Sequence, residues 1–207
     1  MGLWNRYVMP RLIACGCASP AFERQRQQLI PGARGRVLEL GCGSGLNFTS
    51  YDPAQVDSLV AIDPDPRLLG WAREQQAALR GIPVDFVEAD IESAALAPES
   101  VDTIVLTFVL CTIPDWASAL DACRRVLKPG GQVLFCEHGL APDEGLARWQ
   151  NRIEPLWKRL AGGCHLTRSA PTLLEQSGFQ VAEQSAAYAP GIPRLAGYVT
   201  RGVATAT

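Results

Sequence analysis

The sequence predicts an α/β domain with a mostly parallel sheet. Three observations lead there. Short apolar runs alternate with segments of helical periodicity along the chain. Helix-opening pairs, Ser19-Pro20 and Asp65-Pro66, recur at the starts of those segments. The apolar run Arg36 to Leu40 stops at three alternating glycines, Gly41, Gly43 and Gly45, the signature of a tight strand-to-helix turn.

Taken in order, Ser19-Pro20 opens a helix that reaches about Ile30, and Pro31-Gly32 ends it. Strands follow over 36–40 and 58–62. Asp65-Pro66 starts a helix to about Arg80, and 84–87 is the third strand. The unbroken apolar stretch 101–110 predicts a fourth strand buried on both faces. Trp116, Ala119, Leu120, Cys123, Val126 and Leu127 repeat at helical spacing, and Lys128-Pro129-Gly130-Gly131 is a turn signal before a fifth strand over 132–137. Leu146, Trp149, Ile153, Leu156 and Leu160 mark another helical face, with Pro155 expected to kink or split it. Runs at 180–182 and 197–203 close the sheet.

Composition limits the possible functions. The 207 residues suit one sizeable domain, and 47% hydrophobic with 19% charged residues is a globular balance. A net charge of −2, with no dense Lys/Arg cluster, argues against a nucleic-acid track. The seven cysteines are odd in number and several sit in apolar runs. They read as thiols of a reducing compartment, hence a cytoplasmic protein. The first 18 residues, interrupted by Asn5, Arg6 and Arg11 and bent at Pro10, suggest neither a secretory leader nor a membrane span.

The glycine turn points to a ligand that lies flat against the backbone at the carboxyl edge of the sheet. Leu46 stands where a dinucleotide fingerprint has its third glycine, and Glu39 just before the turn would repel a pyrophosphate. Asp63 ends the second strand, where a carboxylate can hold both hydroxyls of a ribose, and Asp90 follows the third. Three neighbouring strand ends that each carry an acid suit an adenosine bearing positive charge and no phosphate.

At these residues the chain resembles the class I S-adenosylmethionine-dependent methyltransferases. The segments are "VLELGCGSG", "VAIDPDP", "EADIES", "VDTIVLTFVLCTI" and "ACRRVLKPGGQVLFCEHG", in the family order. The resemblance implies a Rossmann-like sheet of seven strands, helices on both faces and the last strand antiparallel. It implies S-adenosyl-L-methionine as cofactor, with Gly41, Gly43 and Gly45 around its methionine part. Asp63 would then hold the ribose, with Pro64 beside it in the cofactor site, Asp90 and Ile91 would flank the adenine, and Thr107 and Phe108 would back the cofactor. One domain over 1–207 follows: a helical cap (1–33), a cofactor core (34–140) and substrate-side helices with closing strands (141–207). "TFVLCTIPDW", "LFCEHGLAPDEG" and "GCHLTR" look like a narrower group, the small thiol-methylating enzymes of the methyltransferase-like type. That group has Asn where this chain has His165.

A thiol acceptor ionises near neutrality with little help, so a strong base is optional. The base candidates are the two histidines, His138 after the fifth strand and His165 in the glycine-flanked "GGCHLTR". Trp4, Tyr7, Trp149, Trp157 and Cys164 are expected to line an apolar acceptor pocket. Cys15, Cys17, Cys164 and His165 have zinc-ligand types but no ordinary zinc spacing, and no metal is expected. The expected partner is a small methyl acceptor, with at most weak peripheral contact to a membrane, in a monomer or homodimer. The alternatives are N- or O-methylation of a lipid amine, quinone or phenol, a non-catalytic cofactor-binding protein, and a nicotinamide oxidoreductase.

Overall fold

The computed structural model describes residues 17–206. Its seven strands are β1 (Gly35–Leu40), β2 (Val56–Ile62), β3 (Val84–Val87), β4 (Val101–Thr107), β5 (Leu127–His138), β6 (Phe179–Tyr188) and β7 (Tyr198–Ala206). They form one sheet in the order β3-β2-β1-β4-β5-β7-β6. The first five pair in parallel; β7 runs antiparallel to both β5 and β6. The helices are α1 (Pro20–Leu29), α2 (Pro66–Glu74), α3 (Trp116–Val126), α4 (Glu144–Leu160), α5 (Ala170–Gln176) and α6 (Arg194–Gly197).

Capping residues start the helices, at Ser19 and Asp65 as expected and at Asp115 in addition. The Ser19 hydroxyl accepts from Phe22 N at 3.4 Å, with Pro20 in the first turn. Asp65 accepts from Arg67 N at 2.9 Å, and Asp115 from Ser118 N at 3.1 Å. Each carboxylate or hydroxyl satisfies an amide that the helix itself cannot pair. The period-2 pleat then sorts the strand residues into two cores. Leu38, Val60, Ile104, Val133 and Phe135 face α3 and α5, meeting Leu120, Cys123, Leu173 and Leu174. Val37, Leu59, Ala61, Val105 and Leu134 face α1 and α2, meeting Phe22, Leu29, Leu69 and Ala72. Parallel pairing ends level at Leu40, Ile62, Leu106 and Val87. That common edge sets the acids and the glycine turn side by side.

Several boundaries differ from the sequence expectation. The fourth strand stops at Thr107, not Leu110, because Phe108 takes a left-handed φ of 54° and turns the chain. The second helix ends at Glu74 and a 3₁₀ turn, Gln76–Leu79, continues it. The closing strands are longer than the apolar runs suggested, since antiparallel pairing carries polar residues along with it. Helix α4 is not split: it continues through Pro155. Its buried residue is Gln150, whereas Trp149, Leu156 and Leu160 of the expected apolar face are 62%, 60% and 55% exposed. The six described cysteines are free thiols. Among the described residues no helix is long and apolar enough to cross a membrane.

Gln150 docks α4 by polar contacts. Its amide oxygen accepts from Ala141 N at 2.8 Å, and its nitrogen donates to Gly139 O at 3.1 Å and Leu195 O at 2.8 Å. Gln150→Leu keeps the bulk but leaves these backbone groups unpaired. It should cost about 2–3 kcal/mol, read as a lower denaturant midpoint in equilibrium unfolding.

Candidate functional site

A cleft of about 770 Å³ opens along the carboxyl edge over β1, β2, β3 and β4. Its floor is the turn after β1. Gly41 has φ 67°, and a Cβ there would collide with Val109 in the turn after β4. The two turns can approach only because Gly41 has no side chain. Gly43 has φ 56° and faces open space, and its N–H donates to Asp63 Oδ2 at 2.9 Å. Asp63 Oδ1 accepts from Asp65 N at 2.9 Å. Each Asp63 oxygen therefore keeps a free lone pair for a hydroxyl. Burial lifts its carboxyl above the usual range, and the two backbone donors oppose the shift.

Glu39, Pro64, Asp90, Ile91, Thr107 and Phe108 also line the cleft, so the structure brings nine of the ten expected cofactor positions together. Gly45 is the exception. A Cβ there would meet the Phe48 ring at 2.8 Å, so this glycine makes room for packing. Glu39, 1% exposed, accepts from Asn47 Nδ2 and from the Tyr51 hydroxyl, both at 2.8 Å. Asn47 also donates to Thr107 Oγ1 at 2.9 Å, tying β1 to β4. Burial pushes Glu39 up to about 7, against those hydrogen bonds and against the Arg26 charge.

Arg26 was not foreseen from sequence. It lies 3% exposed on the cleft wall and donates to Cys17 O at 2.8 Å, while its Nε has no partner. The available signal was its register with Phe22 and Leu29 on the buried side of α1, where a charge has no business unless a partner comes. Glu137 was also missed, although a carboxylate inside the apolar "VLFCEHG" was a visible clue. It accepts from Val109 N at 2.7 Å and Leu110 N at 3.0 Å. Arg168 donates to Leu110 O and Ile113 O, and His165 N to Cys111 O at 2.8 Å. These groups hold the whole turn after β4, whose Phe108 ring stacks 4.5 Å from Phe22 on α1.

The expected acceptor-side residues divide. His138 Nε2 lies 3.1 Å from Cys164 Sγ, and Cys111 Sγ, which donates to Phe108 O at 3.7 Å, lies within 4.8 Å of both. The Cys111 contact lowers the Cys164 thiol well below its ordinary range, helped by His138 and Trp157 and opposed by burial. Trp157 does not line the cleft, and its Nε1 is buried without a hydrogen-bond partner. His165 does not reach the cleft: its Nδ1 is 2.8 Å from Glu154 Oε1. Trp149 points to solvent on α4 and does not wall the cleft. Trp4 and Tyr7 lie outside the described residues.

Residues 38–135 match the methyltransferase domain family. The chain is 39% identical over 155 residues to the human thiol S-methyltransferase TMT1B, covering 72% of this chain and 63% of that protein. It is 30% identical over 165 residues to the malonyl-[acyl-carrier protein] O-methyltransferase of Pectobacterium atrosepticum, covering 76% and 60%. The chain thus spans under two thirds of the length of these curated relatives. Among solved structures, the N-methyltransferase NodS of Bradyrhizobium japonicum in complex with S-adenosyl-L-homocysteine superposes with a TM-score of 0.68 at 20% identity, over 90% of this chain and 88% of that one.

The buried Glu39 makes stability depend on pH. The folded protein keeps a proton there between about 4.5 and about 7 that the unfolded chain has released. Its contribution therefore falls as pH rises through that window and is constant above it. Glu39→Gln removes the effect, and Asn47 can flip its amide to meet the new NH₂. Relative to the parent, the variant should gain up to about 3 kcal/mol between pH 4.5 and pH 8, measured by denaturant titration at several pH values.

Proposed function

We propose that this chain, whose residues 38–135 match the methyltransferase domain family and whose sheet is shared with a solved methyltransferase bound to S-adenosyl-L-homocysteine, transfers a methyl group from S-adenosyl-L-methionine to a small thiol. The observation that carries the reading is a cleft edged by buried or strand-end acids, with a side-chain-free turn as its floor. Such an edge attracts a sulfonium and repels a pyrophosphate.

The cofactor's parts then find partners along the edge. Asp63 takes the ribose hydroxyls on its two free lone pairs. Asp90 and Ile91 flank the adenine, Ile91 as a buried apolar surface. Gly41 and Gly43 admit the methionine part beside them. Arg26 takes its carboxylate with the donor that now has no partner, and the ammonium lies within the field of Glu39. The cation restores Glu39 to its ionised state, so cofactor binding should expel a proton near neutral pH.

The transfer itself is an in-line displacement. The acceptor sulfur, as thiolate, forms a bond to the methyl carbon while the methyl–sulfonium bond breaks, leaving a thioether and S-adenosyl-L-homocysteine. Positioning and exclusion of water supply most of the acceleration. The rigid turn after β4, held by Glu137 and Arg168, provides that positioning. The groups nearest its far side are Cys111, His138 and Cys164; His165 is engaged with Glu154. The thiol acceptor is supported by the likeness to the thiol S-methyltransferase. An oxygen acceptor is the second reading, on the likeness to the O-methyltransferase.

Two measurements test this. Asp63→Ala should weaken S-adenosyl-L-methionine binding by about 100-fold or more, the loss of two hydrogen bonds to a charged acceptor; calorimetry reads it, and unchanged affinity would remove the ribose role. With methyl-labelled cofactor, hydrogen sulfide and short alkyl thiols should accept label where catechols, phenols and amines do not. Label on phenols alone would establish the second reading.

A further inference from the structure

We propose that Cys111, His138 and Cys164 form a site for a thiophilic divalent cation of the zinc type, with a fourth position open to the acceptor thiol. The open-position half rests on the thiol reading above; the cation site rests on geometry alone. The three ligand atoms lie within 4.8 Å of one another, and His138 Nε2 is already 3.1 Å from Cys164 Sγ. On a tetrahedral zinc, neighbouring sulfur and nitrogen ligands stand about 3.5 Å apart and two sulfurs about 3.8 Å. From separations of at most 4.8 Å, side-chain shifts of about an ångström or less bring the set to that geometry.

The chemistry of the set is selective. Two thiolates and an imidazole favour zinc-like ions over magnesium or calcium. Two thiolates with a neutral imidazole also balance a dication, which suits a site where Cys111 is only 4% exposed. The ligands come from three separate segments: the turn after β4, the end of β5 and the loop between α4 and α5. Their backbones are already held together. His165 N donates to Cys111 O, Arg168 brackets Cys111 through Leu110 O and Ile113 O, and Gly139 is so close to Arg168 O that a Cβ would collide there. Such outer support is what keeps metal ligands in place. This set is not the one whose residue types suggested zinc from sequence, since His165 has turned to Glu154.

The position suits an acceptor. Cys111 lies between cleft-lining Val109 and Thr112, and Cys164 two residues after cleft-lining Gly162. His138 borders a second hollow of about 540 Å³, which gives an ion a route from solvent. Three protein ligands leave one tetrahedral place free, as in zinc sites that take a reactant. There the acceptor R–SH would give its proton to solvent and coordinate as RS⁻. Its sulfur then bonds to the cofactor methyl as the methyl–sulfonium bond breaks. The neutral thioether is a poor ligand and leaves, with no change in the metal's oxidation state.

The test uses the chelator-stripped 207-residue chain titrated with Zn²⁺ against a chromophoric chelator, and with Co²⁺ for its thiolate charge-transfer absorption. We expect one ion per chain with Kd below about 1 μM, and at least about 100-fold weaker binding in Cys164→Ser and in His138→Ala. Cys123→Ser, inside α3 and away from the cluster, should bind as the parent does. Circular dichroism of the metal-free variants checks that they fold, and whichever variant folds decides. Absence of the Co²⁺–thiolate band, or unchanged affinity in a folded variant, overturns the site. A short alkyl thiol should shift the band where the matching alcohol does not; a band indifferent to the thiol overturns the open position. Asp63→Ala should lose cofactor binding yet titrate metal normally, so the cofactor reading and the metal site fail separately.

Discussion

Glu39 is a carboxylate buried near the tip of β1, and the cleft is organised around it. Asn47 and Tyr51 satisfy its oxygens but bring no charge, so burial lifts it to about 7. A buried acid in that condition is stabilised by a cation far more than a solvated one would be, because the low local dielectric strengthens the attraction. The same two partners bind β1 to the segment that follows it, and Asn47 reaches across to Thr107 on β4. The group that favours a cationic ligand is thus also the group that joins the floor of the cleft to its wall.

The wall is a turn held from both sides. Phe108 takes a left-handed conformation that a bulky residue adopts only when its surroundings compel it. Glu137 supplies acceptors to the amides after it, and Arg168 supplies donors to the carbonyls. These contacts pin backbone atoms on both sides of the turn. Val109 can then lie against Gly41, and Phe108 against Phe22. The methyl transfer proposed above depends on alignment, which a turn held from both sides would supply.

Helix α4 reverses the usual logic of amphipathic packing. Its buried contact is the amide of Gln150, which serves backbone groups of the segment after β5 and of α6, while Trp149, Leu156 and Leu160 face outward. Periodicity locates an apolar face, but it does not say that the face is the one turned inward. That depends on which backbone groups in distant loops still need partners.

The features legible in the chain alone are those encoded within a few neighbouring residues. Ser19, Asp65 and Asp115 begin helices because a side chain and the amides it caps are separated by two or three positions. The alternation of strands and helices, the glycine turn and the acids at the ends of β1 and β2 are local in the same sense. Once parallel strands end level, those acids must share one edge. Folding alone turns Arg26 into the cleft, sets Glu137 and Arg168 against the turn after β4, and brings Cys111, His138 and Cys164 together. It also decided that Gly45 serves Phe48 and that His165 turns to Glu154. Each of these, apart from the nearby Phe48, joins residues far apart in the chain or on different elements, and no local periodicity carries such a pairing. It is set by which buried polar groups the folded backbone leaves in need of a partner.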